Sequence, residues 1–298
     1  MSIELNVKQH GFSGFYFPVD SSIEKKAVIV LGGSDGTVAV PKNIGALLSD
    51  RGIPALGVCF WNRPGLPQKL VRVPVEYIES AVKWLQNKGF EKIAIYGISK
   101  GAELALLAAS LIPDITCVIA LSPSHCVYAG LGINDKGKKD LFNVSSFTWR
   151  GNPLPFVRGK KQIGGILWRF ITQQQLNTCF IYKKALKSTT DDAVIKVENI
   201  KGPILLFSAS EDATWPSQYS CEQIKKRLQT KKFAYPVKHV NYPHASHVLI
   251  PIANPHTLSK LRIYKVERKH PVQCNQSRSD AFEKSMEWLT SWGPAYSH

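Results

Sequence analysis

The strongest constraint on this chain is a serine between two glycines, in the sequence Gly-Ile-Ser-Lys-Gly at residues 97–101. An apolar run precedes it and a stretch rich in alanine and leucine follows, which indicates a strand that turns sharply into a helix. Such a turn strains the serine backbone and leaves no room for neighbouring side chains, which explains Gly97 and Gly101. The corner exposes the hydroxyl of Ser99 and directs the backbone N–H of Lys100 toward a developing oxyanion. Ser99 is therefore the candidate nucleophile.

Suitable partners for a nucleophilic serine follow later in the chain. The apolar run Pro-Ile-Leu-Leu-Phe predicts a buried strand, and Glu211 and Asp212 come shortly after its carboxyl end. A second short strand is predicted just before His244 and His247. Because ligands of parallel α/β sheets bind beyond the carboxyl ends of the strands, these residues are candidates for the orienting acid and the general base. The residues alone leave the choice within each pair open.

Two other roles are compatible with these residues. Asp212 can cap the helix that Pro216 is expected to begin, since carboxylates satisfy free N–H groups at helix starts. A metal site is the alternative for the histidines, although no H-E-x-x-H helix or cysteine pair accompanies them. We expect no metal and no cofactor. The histidines in question are His239, His244, His247 and His256.

The order of predicted elements indicates an α/β fold with a mostly parallel central sheet and helices on both faces. Apolar runs that predict strands alternate with helical patterns, and the clearest helical pattern has the three-four spacing of Val75, Ile78, Val82 and Leu85. We expect one domain over residues 1–298. The predicted strands are residues 27–31, 55–60, 92–96, 115–121 and 203–207.

Several segments together resemble the carboxyl-terminal hydrolase domain of the acyl-CoA thioesterases and bile acid-CoA:amino acid N-acyltransferases, which is similar to dienelactone hydrolases. They are residues 97–104, 151–155, 195–198 and 211–215, and the Tyr-Pro pair four to five residues before His247. The resemblance implies an α/β-hydrolase fold. It also implies that Ser99 is the nucleophile, Asp212 rather than Glu211 the acid, and His247 rather than His244 the base.

The same resemblance indicates the reaction. Thioesterase members have serine at the elbow and transferase members have cysteine, so Ser99 favours water as the final acceptor. We expect a serine hydrolase that cleaves acyl-CoA thioesters through an acyl-enzyme intermediate. A carboxylesterase or dienelactone-hydrolase-like esterase and an acyl-CoA:amino acid N-acyltransferase are the alternatives, and a non-catalytic binder of acyl-CoA or nucleic acid is a third. Animal members carry a β-sandwich domain ahead of the hydrolase domain, which we do not expect in the two dozen residues before Ala27.

A glycine-rich loop follows the first predicted core strand, with the sequence Gly-Gly-Ser-Asp-Gly at residues 32–36. In the α/β-hydrolase fold this loop supplies the second oxyanion N–H, which we assign to Ser34. A phosphate-binding loop is the competing interpretation. Neither G-x-G-x-x-G nor G-x-x-x-x-G-K-[ST] occurs there, so nucleotide binding is not expected.

The regular alternation breaks down between residues 126 and 199, where we expect a lid inserted in the domain. Its aromatic residues either line an acyl pocket or pack the lid on the body: Phe147, Trp149, Phe156, Trp168 and Phe170. Many of its residues are basic, Lys160 and Lys161 among them, and the formal net charge of the chain is +16. Such a surface attracts the phosphates of coenzyme A, or is only a solvated surface. The sequence has no nucleic-acid-binding signature.

The remaining features concern the compartment. The six cysteines form no close pairs and two fall in predicted core strands, so we expect reduced thiols. No secretory signal and no apolar run of about 18 residues is present, so we expect no membrane span and a cytoplasmic protein.

Overall fold

The computed structural model describes residues 2–19, 25–131, 143–159 and 162–292. Eleven strands occur in these ranges: β1 (Ile3–Leu5), β2 (Ser13–Phe17), β3 (Lys26–Leu31), β4 (Ala55–Cys59), β5 (Val73–Pro74), β6 (Lys92–Ile98), β7 (Ile115–Leu121), β8 (Phe147–Trp149), β9 (Asn152–Pro153), β10 (Ile204–Ala209) and β11 (Val237–Tyr242). The helices there are α1 (Val7–His10), α2 (Ala39–Asp50), α3 (Glu76–Asn87), α4 (Lys100–Leu111), α5 (Ile163–Gln173), α6 (Cys179–Leu186), α7 (Ser217–Thr230), α8 (Pro255–Leu261), α9 (Lys265–Lys269) and α10 (Pro271–Ser291).

The central sheet has eight strands in the order β1-β2-β4-β3-β6-β7-β10-β11. Strand β2 runs antiparallel to β1 and β4, and every pairing from β4 to β11 is parallel. The prediction of a mostly parallel sheet is therefore confirmed. Because parallel strands end at the same edge, the loops after β3, β6, β7, β10 and β11 all leave the sheet on one side.

Both faces of the sheet are covered, which explains the continuous apolar runs in its strands. On β3, Ile29 and Leu31 face a core shared with α3, α4 and α7, whereas Val28 and Val30 face a core shared with α2 and α10. The predicted helical spacing is correct, since Ile78, Val82 and Leu85 are the buried face of α3. The prediction of helices on both faces is also confirmed.

The first core strand lies earlier than predicted. The sequence prediction began the first core strand at Ala27. Strand β2 precedes that strand, and all five residues of β2 are buried. This strand was missed because it begins with Ser-Gly and lacks an alternating pattern. A Cβ at Gly14 would lie 2.5 Å from the carbonyl oxygen of Gly57 on β4, so close strand packing requires glycine there.

The segment between residues 126 and 199 contains β8 and β9, followed by α5 and α6. Strands β8 and β9 form a small sheet with β5, which precedes α3, in the order β5-β8-β9. Phe147 is fully buried and Trp149 and Phe156 pack partly buried against the same core. Trp168 and Phe170 on α5 are 65% and 50% exposed. The predicted packing role thus fits the first three aromatics, not the last two. Lys160 and Lys161 lie outside the described residues.

Two further features concern the cysteines and the length of the helices. The six cysteines are all buried and their thiols are free. Within the described ranges, every helix is too short or too polar to cross a lipid bilayer.

Candidate active site

Ser99 lies at the corner between β6 and α4, and its backbone is strained. Its φ of 57° and ψ of −121° are values that residues with a Cβ rarely adopt. A Cβ at Gly97 would lie 2.3 Å from the carbonyl oxygen of Gly101, and one at Gly101 would lie 2.1 Å from that of Gly32. The two glycines are therefore required by close backbone approach, as the sequence indicated.

Two candidate oxyanion donors lie beside the serine. Lys100 is the first residue of α4, so its backbone N–H has no acceptor within the helix. The loop after β3 passes close by, because a Cβ on Gly33 would lie 3.5 Å from that of Ser99. Ser34, the predicted donor, follows Gly33 in this loop, and its side chain is exposed.

Asp212 and His247 form a buried pair at the carboxyl ends of β10 and β11. His247 Nδ1 lies 2.8 Å from Asp212 Oδ2, and the two side chains are 8% and 2% exposed. Asp212 Oδ2 also accepts a hydrogen bond from the Ser217 hydroxyl at 2.7 Å. Its Oδ1 accepts from the backbone N–H groups of Thr214 at 2.9 Å and Trp215 at 3.2 Å. These donors fix the carboxylate, and the carboxylate orients the imidazole.

The second nitrogen of His247 is unused. Its Nε2 is buried and has no hydrogen-bond partner among the described residues. The Trp215 ring packs edge-on against the imidazole with the ring centres 5.7 Å apart, and Trp215 Nε1 donates to the carbonyl of Ser122 at 2.8 Å. An imidazole held by a carboxylate at Nδ1 can accept a proton at Nε2.

A short backbone path connects the serine corner to this histidine. The N–H of Ser99 donates to the carbonyl of Leu121 at 2.9 Å. The next residue, Ser122, donates its hydroxyl to the carbonyl of His247 at 2.8 Å. Ser122 itself has a positive φ of 47°. The end of β7 therefore joins the loops of Ser99 and His247, a link that the sequence analysis missed.

Glu211 and His244 make a second pair of the same type next to the first. Glu211 Oε1 lies 3.2 Å from His244 Nδ1, but these side chains are 42% and 51% exposed. Their exposure separates them from Asp212 and His247, which the protein encloses. The structure thus encloses the Asp212–His247 pair and leaves Glu211 and His244 on the surface.

A buried ion pair behind the serine corner was also missed. Lys100 Nζ lies 2.7 Å from Glu103 Oε1 and donates to the carbonyl of Tyr128 at 3.2 Å. Burial lowers the pKa of the Lys100 ammonium and raises the pKa of the Glu103 carboxyl, although their contact opposes both shifts. The signal in the sequence is a lysine and a glutamate three residues apart in an otherwise apolar helix.

A known protein family matches most of this chain. The family model described as BAAT / acyl-CoA thioester hydrolase C terminal matches residues 73–270, a range that contains Ser99, Asp212 and His247. The chain belongs to this family. The proposed resemblance is therefore confirmed.

Known relatives agree with the family. Mitochondrial acyl-coenzyme A thioesterase 2 of Mus musculus is 26% identical over 211 residues, which are 69% of this chain and 41% of the relative. The peroxisomal succinyl-coenzyme A thioesterase of Mus musculus is 24% identical over 208 residues, 69% of this chain and 45% of the relative. The chain thus spans less than half the length of these thioesterase relatives.

Solved structures show the fold of this family member. A Klebsiella pneumoniae protein assigned to the dienelactone hydrolases superimposes with a TM-score of 0.59 at 14% identity, covering 98% of this chain and 99% of its own. An esterase from Pyrococcus furiosus superimposes with a TM-score of 0.54 at 16% identity, covering 98% and 92%. The predicted α/β-hydrolase fold is therefore confirmed.

Proposed function

We propose that this BAAT-family chain hydrolyses acyl-CoA thioesters, with Ser99 as nucleophile, His247 as general base and Asp212 as the residue that orients the base. The single observation that carries the proposal is the state of His247. Its Nδ1 is bonded to a buried carboxylate while its buried Nε2 has no partner. A buried nitrogen without a partner is costly, and a catalytic base is one physical reason to retain it.

The first half of the reaction follows from this arrangement. Nε2 of His247 takes the proton of Ser99 as Oγ attacks the thioester carbonyl, and Asp212 stabilises the imidazolium that forms. The carbonyl oxygen becomes an oxyanion. In this proposal the N–H of Lys100 and an N–H of the loop after β3, assigned to Ser34, donate to it.

Collapse of the tetrahedral intermediate breaks the C–S bond, and the departing sulfur takes the proton held by His247, so that the coenzyme leaves as a thiol and His247 is again a base. Because a thiol with a pKa of about 8.5 departs readily, acid assistance matters less here than for an amide. Water, deprotonated by His247, then attacks the acyl-enzyme ester and releases the fatty acid. The proposal therefore needs no cofactor and no metal.

The proposal extends to the segment at residues 126–199, which we assign as a lid within one hydrolase domain. Helix α5 supports this assignment, since it presents several large apolar side chains on the surface. Exposed apolar faces of this kind are typical of surfaces that cover a ligand or a partner. They are Ile163, Leu167, Trp168, Phe170 and Ile171.

A substrate panel tests the proposed reaction. Acyl-CoA thioesters of increasing chain length and p-nitrophenyl esters of the same acyl groups are compared, with and without an amine acceptor. We expect kcat/KM to be higher for thioesters than for matched esters, and the free acid to be the product even with amine present. Turnover of the esters alone would instead indicate a carboxylesterase, and an amide product would indicate an acyltransferase.

A further inference from the structure

Three side chains that the proposed mechanism does not use form a cluster beside the Asp212–His247 pair. They are Glu211 after β10, His244 after β11, and His270 at the start of α10. One potential metal-binding atom of each lies within 4.8 Å of those of the other two. Two imidazoles and one carboxylate thus converge from three separate parts of the chain.

The backbone at each of these residues is fixed by contacts with the body of the domain. The loop that carries Glu211 is attached to β11, because the N–H of Ser210 donates to the carbonyl of Tyr242 at 3.0 Å. The N–H of His270 donates to the carbonyl of Val266 at 2.7 Å. The carbonyl of His244 accepts from the Cys274 thiol on α10 at 3.6 Å. These contacts hold the three parts of the chain next to one another.

The two histidine rings of the cluster pack against each other. The rings of His244 and His270 stack with their centres 4.4 Å apart and their planes 24° apart. Imidazole nitrogens are the commonest metal ligands in proteins. Glu211 lies 3.2 Å from His244 Nδ1 and supplies a negative charge at the same place.

Two of the other histidines considered for a metal site have hydrogen-bond partners outside the cluster. His239 Nε2 lies 2.7 Å from the Ser208 hydroxyl, and His247 Nδ1 lies 2.8 Å from Asp212. The cluster therefore includes one of the four histidines singled out in the sequence, with Glu211 and His270 as its companions. His270 was not predicted because it lies 26 residues beyond His244 in the chain, a spacing that no local metal motif has.

We propose that Glu211, His244 and His270 bind a divalent transition metal ion such as Zn²⁺, with water completing the coordination. Two histidines and one glutamate are a donor set that Zn²⁺ accepts in proteins, with bonds of about 2.0–2.2 Å. Closing the cluster around the ion joins the loop after β10, the loop after β11 and helix α10. The ion acts as a clamp on the two loops that carry Asp212 and His247, and it takes no part in the chemistry at Ser99.

Zinc titration of the whole protein, freed of metal with a chelator and then desalted, tests this site. We expect saturable binding of one Zn²⁺ per chain by calorimetry, a rise in Tm with Zn²⁺, and visible absorption from Co²⁺ bound in its place. His244→Ala and His270→Ala should each weaken Zn²⁺ binding more than about tenfold, since even residues behind a metal ligand are worth that much. The Tm rise should vanish with the binding.

Matched variants separate the proposal from weak binding to any surface histidine. His256→Ala removes another exposed histidine and should leave the Zn²⁺ affinity unchanged. Glu211→Gln keeps the size of the side chain, so it tests the third ligand without a folding defect. Ser99→Ala should bind Zn²⁺ like the natural protein, which separates this site from the proposed catalytic function. No saturable binding, or equal affinity in the His244 and His270 variants, would overturn the proposal.

Discussion

The ammonium group of Lys100 and the carboxylate of Glu103 form an ion pair directly behind the serine corner, with 2.7 Å between Nζ and Oε1 and side chains 5% and 0% exposed. The same carboxylate oxygen accepts the N–H of Tyr128 at 3.1 Å. The pair therefore ties the first turn of α4 to the chain that follows β7. The backbone of Lys100 and its side chain have separate roles, one facing the proposed oxyanion and one facing the core.

Loss of one member of this pair should be costly. Lys100→Met leaves a buried carboxylate without its cation, so we expect the free energy of unfolding to fall by about 3 kcal/mol. The double variant Lys100→Met/Glu103→Leu should lose less than the sum of the two single variants, because it leaves no unpaired charge. Urea unfolding of the four proteins measures this difference.

The exposed pair of Lys25 and Glu91 is the matched control, with side chains 63% and 67% exposed. A thermodynamic cycle on that pair should give a much smaller coupling, because solvent screens surface ion pairs. Equal coupling in the two cycles would show that burial does not determine the strength of the Lys100–Glu103 pair.

The two acid–histidine pairs predict opposite effects on turnover. His247→Ala and Asp212→Asn should each reduce kcat by at least about a thousandfold, because members of such a unit act together. His244→Ala and Glu211→Gln should each cost less than about tenfold, since their exposed pair is outside the enclosed site. Assays in the presence of a chelator remove any contribution of bound metal. A larger loss from Glu211→Gln than from Asp212→Asn, or from His244→Ala than from His247→Ala, would move the catalytic assignment to Glu211 or to His244.

Much of this site could be predicted from the sequence, because its constraints are local. Ser99 was found from two glycines and the change from strand to helix, and the observed β6 and α4 meet at that residue. Asp212 and His247 were candidates because each follows a predicted strand. The choice of Asp212 over Glu211 came from the family resemblance, since neighbouring carboxylates look alike until their burial is known.

The remaining contacts depend on residues far apart in the chain. Ser217 was not predicted to hold Asp212, because Ser at the start of a helix is ordinarily read as a helix cap. Ser122 was not predicted to join Ser99 and His247, since its role depends on the strand order, in which β7 lies next to β6 and two strands from β11. Contacts between residues far apart in the chain produce no periodic pattern in the sequence.

His125 predicts a dependence of stability on pH. Burial lowers the pKa of this imidazole to about 4, and its Nδ1 lies 3.1 Å from the Ser220 hydroxyl. Between about pH 6.5 and 4 the unfolded chain binds a proton there that the folded protein does not, so folding stability falls as pH falls. The expected loss over this interval is about 3 kcal/mol.

The variant His125→Gln tests whether His125 causes this pH dependence of stability, because glutamine keeps a polar group near Ser220 but does not titrate. Urea unfolding at several pH values should show that, between about pH 6.5 and 4, the variant loses about 3 kcal/mol less of its free energy of unfolding than the natural protein. An unchanged slope would mean that other groups cause the acid sensitivity.

Salt should weaken the encounter with acyl-CoA if basic groups near the site attract its phosphates. Asp212 and Glu211 border a groove of about 430 Å³ that Arg169, Lys183 and Lys265 also line. As the Debye length falls from about 30 Å at 0.01 M to about 8 Å at 0.15 M, kcat/KM for an acyl-CoA should fall. A neutral p-nitrophenyl ester should respond little.

Replacement of Lys183 and Lys265 by Ala should raise KM for the thioester selectively and reduce its salt dependence. Lys8 and Lys88, which are exposed and lie on α1 and at the end of α3, provide a control pair with the same change in net charge. If both double variants respond alike, net charge rather than this groove governs the encounter.

The central claim is that Ser99 carries out covalent chemistry, and one comparison tests it most directly. Acyl-CoA hydrolysis by Ser99→Ala is measured beside the natural protein, with circular dichroism to verify that both are folded. We expect a loss of at least about a thousandfold in kcat, together with loss of fluorophosphonate labelling, because the variant lacks the proposed nucleophile. A folded Ser99→Ala variant that turns over within about tenfold of the natural protein would contradict it.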